Sequence, residues 1–471
     1  MSTFSLGHLS CREFEYKTQT ILLLDKNGLR FTPFVPPSFP AEILGEIFIY
    51  CLEEMVYPDP KIAPLLLCNV CRRWREVALS TPRLWSCLVI DFDTIFARGI
   101  QAGLYQDWLS RARNTPLSLC LDDITYLKTP TPAINALIPI VMGLSDQWRD
   151  VDLRLAPSLT KLLFRNDGNF LPEIPLLERL SLWIHPLEVP QDSSVSLVFR
   201  DAPKLRHFVL HTYSSRIQIP WAQLHTFRCG KITGSSCMEV LRNSPGLLNA
   251  TFDIYDGLPV VDSPVDHPRL QSLTLGLSRG GFLGGLHILD YLNTPALKSL
   301  ALQFPPRCSN ITSFPSFISR SSIQLHTLAL FSPPTTTKGL IDCLKAARSV
   351  VHLKICPSDE RDPDYLLPRL SQPGNLLPKL ASLHIIIVPN THNPHRVKPP
   401  VNPSVVARML NWRWARAATR LQSFRLAYSH IPLLRGRMFG DVITSDPQVR
   451  RLTQEGMVVY AGISDGNDVF M

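Results

Sequence analysis

The feature that constrains this chain most is a short unit, Leu-x-x-Leu-x-Leu, usually with proline two residues ahead of it. It reads Pro175-Leu-Leu177-Glu-Arg-Leu180-Ser-Leu182 and returns at Pro203-Lys-Leu205-Arg-His-Phe208-Val-Leu210. It returns again at Pro268-Arg-Leu270-Gln-Ser-Leu273-Thr-Leu275, Pro295-Ala-Leu297-Lys-Ser-Leu300-Ala-Leu302 and Pro378-Lys-Leu380-Ala-Ser-Leu383-His-Ile385. Copies without the proline start at Leu224, Leu325, Val350 and Leu421, and weaker ones at Leu159 and Leu247. Two apolar residues separated by one other residue have the period of a strand, which puts both side chains on one face. Proline just ahead ends a preceding helix and can open a strand where no backbone donor is yet needed. Between units lie short helical stretches: Cys237–Leu241, His287–Leu292 and Leu340–Ala347.

Strand, loop, helix and strand at intervals of about 18–40 residues resemble a leucine-rich-repeat solenoid. The chain has 471 residues, too many for one compact core, and the 45% hydrophobic share against 18% charged predicts a folded chain. Its 41 prolines predict short, often interrupted elements, because proline is excluded from helix interiors and central strands. The fold class expected is α/β: an N-terminal three-helix module followed by an irregular solenoid, a parallel sheet with short helices. The asparagine that follows the unit in standard leucine-rich repeats is mostly missing, so the side away from the sheet is expected to be irregular. The segments read as 1–35, mixed and weakly patterned; 36–90, helical module; 91–145, linker or start of the array; 146–430, repeats; and 431–471, cap and polar tail.

The helical module opens with Phe39-Pro-Ala-Glu-Ile-Leu-Gly-Glu-Ile-Phe-Ile-Tyr-Cys-Leu52. Ile43, Leu44, Ile47, Phe48, Cys51 and Leu52 recur at helical spacing, and Pro40 suits a first turn. After a loop at Tyr57–Pro60, a second helix is expected from Ile62 to about Asn69. It passes into Val70-Cys-Arg-Arg-Trp-Arg-Glu-Val-Ala-Leu79, where Val70, Cys71, Trp74, Val77 and Ala78 share a face. Ser80-Thr-Pro82 reads as a stop and restart, followed by Arg83-Leu-Trp-Ser86. The ordered set Pro40–Leu44, Ile47-Phe48, Val70–Trp74 and Leu84-Trp85 resembles the F-box, including the version abundant in fungal F-box proteins. The resemblance covers Pro36 to Leu88. The chain departs from it in carrying Phe39 in place of an opening leucine and in the extended loop Glu53–Pro60.

The resemblance implies that the module docks on a Skp-family adaptor, and through it a cullin, while the repeats hold a protein target for ubiquitination. It implies Pro40, Ile43, Leu44, Ile47, Phe48, Leu52, Val70, Cys71, Trp74 and Trp85 as adaptor-contacting or module-core positions. A stretch this short is marginal alone and holds more large apolar residues than it can bury, and surplus apolar surface marks an interface. The plainer reading is that these helices cap the solenoid. Other readings are an interaction scaffold without a ligase role, or a basic repeat protein that binds nucleic acid. The last lacks the aromatic-and-basic motifs of the usual modules.

No constellation of nucleophile, base and oxyanion donor is visible, so the chain is not expected to be an enzyme, and no cofactor or metal is expected. Cys68-Asn-Val-Cys71 has no second pair to complete a zinc site, and His392-Asn-Pro-His395 has no acid or cysteine nearby. Gly280–Gly285 is not a phosphate-binding loop, since no Gly-Lys-Ser/Thr follows. The longest apolar runs, such as Ile21–Leu24 and Ile385–Val388, are far short of the roughly 20 residues that span a bilayer. With no secretory signal and eleven scattered cysteines, reduced thiols in cytoplasm or nucleus are expected. The triplets Asn249-Ala-Thr251 and Asn310-Ile-Thr312 then carry no glycan.

Net charge is +9, and its distribution is uneven. Between Asp364 and Asp441 there is no acidic residue, and a helix expected over Ser404 to about Arg420 carries Arg408, Arg413, Arg416 and Arg420 among Trp412 and Trp414. Arginine suits paired bonds to carboxylate or phosphate. These four are therefore candidates for binding an acidic or phosphorylated target segment, against the plainer reading of a solvated basic rim.

Overall fold

The structure, a computed structural model, describes residues 39–98, 102–123, 131–155, 173–184, 197–199, 201–256, 263–277, 283–304, 312–333, 337–357, 366–372, 376–387, 401–417, 419–428 and 440–463. The weak unit at Leu159, residues 280–282 of the glycine-rich loop, the histidines 392 and 395, the segment 1–35, and residues 431–439 and 464–471 lie outside these. The chain divides into two compact units, one of residues 1–178 with 187–204, the other of 179–186 with 205–471.

The first unit begins with helices α1 (Ala41–Ile49), α2 (Leu65–Cys68) and α3 (Arg72–Ser80) and a 3-10 turn (Pro82–Trp85). Cys71 caps α3, its Sγ accepting from the Trp74 N–H at 3.4 Å. The strand β1 (Cys87–Asp91) follows at once, where helical structure was expected to run on to residue 90. Leu88, Val89 and Ile90 are all buried, and this continuous apolar run suits a buried strand. β1 pairs in parallel with β2 (Leu117–Asp122), and β2 with β3 (Trp148–Leu155). Helices α4 (Phe92–Arg98) and α5 (Ala102–Ala112) connect β1 to β2, and α6 (Pro132–Met142) connects β2 to β3. Pro139 sits inside α6 despite removing a helical donor. The helix persists because Ile134, Leu137, Ile138, Val141 and Met142 are all buried.

The second unit is a parallel ladder of eleven strands: β4 (Arg179–Ile184), β5 (His207–Leu210), β6 (Thr226–Thr233), β7 (Asn249–Asp256), β8 (Ser272–Leu277), β9 (Ser299–Gln303), β10 (Thr327–Phe331), β11 (His352–Cys356), β12 (Ser382–Ile387), β13 (Ser423–Tyr428) and β14 (Val458–Ile463). Every Leu-x-x-Leu-x-Leu unit within the described residues supplies one strand. Leu273, Leu300, Leu328, Leu353 and Leu383 are register partners in successive strands, continued by Phe424 and Val459. The five leucines are at most 2% exposed and make one inward row. β14 carries no such unit, which is why it was not expected beyond residue 430.

The connecting elements are uneven, as the missing asparagines imply. They include α7 (Gly234–Asn243), α8 (Ser313–Arg320), α9 (Thr337–Ala346), the single turn α10 (Leu367–Leu370), α11 (Pro403–Ala415) and α12 (Pro447–Gln454), with a 3-10 segment at Leu283–Tyr291. Each lays apolar residues on the inner face of the sheet. Because such an array is held by neighbour-to-neighbour packing, Leu300→Ala is expected to cost about 3 kcal/mol and to loosen both adjoining repeats. Hydrogen exchange should show β8 and β10 losing protection together with β9, and unchanged protection there would contradict this coupling.

Candidate functional site

Helix α1 has two apolar faces. Leu44 and Phe48 point inward and are 7% and 1% exposed, with the Phe48 ring 4.9 Å from that of Trp74 on α3. On the other flank Phe39, Ile43, Ile47 and Tyr50 recur at spacings of four, four and three, so they form one stripe. They are 43%, 49%, 42% and 89% exposed. Fully burying a residue of the size of Ile or Phe is worth roughly 1.5–3 kcal/mol, so this stripe is unspent binding surface. The module could have turned it inward only by giving up Leu44 and Phe48. One ion pair and one hydrogen bond border it: Arg83 bonds Glu46 at 2.8 Å, and Arg73 donates to the Phe39 carbonyl.

The ten positions implied by the F-box resemblance therefore separate. Pro40, Ile43, Ile47 and Cys71 are exposed, and Leu52, Val70 and Trp74 are half-buried. Leu44, Phe48 and Trp85 are buried, so of the two roles implied for them, adaptor contact or module core, they take the second. Trp85 is wholly buried. Its Nε1 donates to the Ala78 carbonyl at 2.9 Å, its ring meets Trp108 of α5 edge-on at 4.8 Å, and the Arg111 guanidinium lies 4.6 Å over it. The Trp108 Nε1 donates in turn to the Trp85 carbonyl at 3.1 Å. Trp85 thus pins the helices to the first strands rather than to another protein. The exposed Phe39 and Tyr50 were not among the implied contacts. The signal was present, since both share the helical period of Ile43 and Ile47.

The arginine cluster is also divided. Helix α11 ends at Ala415, short of Arg420. Arg408, Arg416 and Arg420 are exposed, and the Arg420 guanidinium lies 5.4 Å over Trp414. Arg413 is 2% exposed and cannot meet a target. Its Nε, Nη1 and Nη2 donate to the carbonyls of Leu370, Leu377 and Leu376 at 2.9, 3.0 and 2.6 Å. Leu370 ends α10, while Leu376 and Leu377 precede β12, so Arg413 ties these two segments together through their backbone carbonyls. Burial pulls its guanidinium down to about 10, which leaves it charged at neutral pH. Arg396, Lys398, Arg435 and Arg437 lie outside the described residues.

No family model matches this chain, and no curated protein does. A Bacteroides fragilis protein of solved crystal structure is similar to it at 15% identity, over 58% of this chain and 70% of that one, with a TM-score of 0.27. So low a score carries no argument about function.

The buried thiols of Cys68, Cys120, Cys229 and Cys237 are packing groups. Burial pushes Cys120 and Cys229 up to about 12 and raises Cys68, while Cys237 is fully enclosed. A thiol held that high carries little of the nucleophilic thiolate. Among the described residues no group of three or more His, Cys, Asp or Glu is placed to hold a metal. No described helix is long and apolar enough to cross a membrane.

The outward face of the second unit is a sheet surface of rows. One runs Thr226, Asn249, Ser272, Ser299, Thr327, and continues through His352, Ser382 and Ser423. Large exposed apolar residues of this face stand at both ends of the ladder, at Trp183, Val209 and Tyr255 in its first strands and at Val458 and Tyr460 in its last.

Proposed function

We propose that the chain recruits a protein target to a cullin-type ubiquitin ligase. The helical module docks on a Skp-family adaptor, and the repeat array holds the target. The observation that carries this reading is the exposed stripe Phe39, Ile43, Ile47 and Tyr50, on a helix whose opposite flank is already packed. A surface of that kind is stable in water only at a cost, and it fits an apolar groove on a partner. The residue order of the F-box resemblance supports the choice of partner. The chain would then act by positioning, with no reaction of its own and no cofactor.

The test uses Ile43→Asp with Ile47→Asp, because both side chains are exposed and their loss leaves the interior of the module intact. A charge forced against an apolar surface is not tolerated unpaired. Co-purification of the Skp-family adaptor and the cullin from cells is expected to fall to background, with the thermal unfolding midpoint unchanged. Undiminished capture of the adaptor by the doubly substituted protein sinks the ligase reading. A wild-type chain that captures no adaptor at all would favour an interaction scaffold.

A further inference from the structure

Six successive strands of the second unit, β8 to β13, are each entered through a four-residue turn: 268–271, 295–298, 323–326, 348–351, 378–381 and 419–422. Each turn carries one basic residue: Arg269, Lys298, His326, Arg348, Lys379 and Arg420. None carries Asp or Glu. The residues that follow the turns, Ser272, Ser299, Thr327, His352, Ser382 and Ser423, are register partners, so the turns stand side by side along one edge of the sheet. Their backbones are bonded in sequence. The Lys298 N–H donates to the Gln271 carbonyl at 2.8 Å and the His326 N–H to that of Lys298 at 2.8 Å. Val351 donates likewise to His326, Ala381 to Val351 and Gln422 to Ala381, at 2.9, 2.9 and 2.7 Å.

All six basic side chains are exposed, and among the described residues none forms an ion pair with a carboxylate. Strands lie about 4.8 Å apart, so the row is roughly 24 Å long. A helix C-terminus gives a cation a local reason to stand nearby. That serves Arg348, which follows α9 closely, but not Arg269, Lys298 or Lys379. Basic groups gathered without counter-ions are complementary to a chain of negative ones. Beside Arg269 the surface is concave: Arg242, Arg269, Pro245, Pro264 and Pro268 line a cavity of about 550 Å³. Asp266 also lines it, but its Oδ1 already accepts from the Asn293 Nδ2 at 2.7 Å. The six turns hold no Phe, Tyr or Trp on which a nucleic-acid base could stack.

We propose that this edge binds an acidic polypeptide segment in extended form, laid across the six turns, with a side chain at one end seated in the cavity beside Arg269. About seven extended residues cover that length, and about half of their side chains face the row. As the place where a ligase target is held, the edge rests on the reading above; as a peptide site it belongs to the second unit alone and stands apart from adaptor docking. It is also a different place from the exposed arginines of α11.

The experiment is selection of random displayed peptides on the whole protein, followed by binding of the labelled winners. The winners are expected to carry several Asp or Glu close together, and changing these to the amides should weaken binding about tenfold. Lys298→Glu with Lys379→Glu should weaken the parent peptide by a similar factor, and should have little further effect on the amide peptide. Arg269→Glu, where the row meets the cavity, should weaken it on its own. Arg408→Glu with Arg450→Glu, on α11 and α12, makes the same change in net charge as the lysine pair and should leave binding within about twofold of wild type. All the substituted positions are exposed, so the thermal unfolding midpoint should hold in each variant. No selected peptides, winners without acidic residues, equal losses from the two charge reversals, or an unaffected Arg269→Glu protein would each overturn the proposal. So would a short single strand of thymidines that binds more tightly than the parent peptide. Adaptor co-purification by the Lys298→Glu, Lys379→Glu protein is expected to be normal, so a failure here is distinct from failure of the ligase reading.

Discussion

Trp85→Ala is expected to destabilise the first unit by about 4 kcal/mol, at the upper end of what large-to-small core changes cost. Three effects act together. The indole is completely buried, so its removal leaves a void against Trp108. Its hydrogen bond to the Ala78 carbonyl is lost, leaving that acceptor only the longer bond from the Thr81 N–H at 3.4 Å. The edge contact with Trp108 and the cover of Arg111 go as well. Trp85→Phe restores most of the volume and the ring contact but not the donor, so it should cost about half as much. Equilibrium unfolding in urea is the measure. If Trp85→Ala unfolds within about 1 kcal/mol of wild type, the residue is not the joint described above.

A loss of comparable size is expected from Arg413→Leu, about 3–4 kcal/mol. The side chain has little Coulombic role, because among the described residues its bonds go to carbonyls and not to a carboxylate. What it provides is geometry: three donors in a fixed fork, meeting three backbone carbonyls from two segments. Leucine fills the space and removes all three donors, leaving the Leu377 oxygen only its bond from the Leu380 N–H. Arg413→Lys should recover little, since one ammonium cannot reach three carbonyls set for the fork. Arg416→Glu, a few residues away and exposed, should stay within about 0.5 kcal/mol of wild type. Equal effects of Arg413→Leu and Arg416→Glu would refute the assignment. A charge reversal that includes Arg413 would therefore report on folding, not on target capture.

How much was legible beforehand differs by element. The strands of the second unit follow from leucine spacing because the signal is local. Alternation of apolar residues puts a side chain on one face whatever the neighbours do, and the same spacing in successive units sets the register. β1, β2, β3 and β14 lack the unit, and their strand character comes from pairing with a neighbour already in place. In the helical module the sequence shows an apolar stripe but not its division. Ile43, Leu44, Ile47 and Phe48 all lie on adjacent flanks of one helix, and helical period cannot rank them.

The sequence by itself determined where this chain is apolar with period two and where with the period of a helix, and so its class: short helices, then a parallel ladder with leucines inside. Tertiary structure decided which of those groups are spent. The position of α3 and the 3-10 turn buries Leu44, Phe48 and Trp85 and leaves Ile43 and Ile47 in water. The carbonyls of Leu370, Leu376 and Leu377 draw Arg413 inward, out of a cluster that reads as one charged face. A bulge at Gly230 and Lys231 shifts β6 by one residue against Asp253 of β7. Each of these outcomes depends on groups far apart in the chain arriving at one place, and local periodicity carries no term for that.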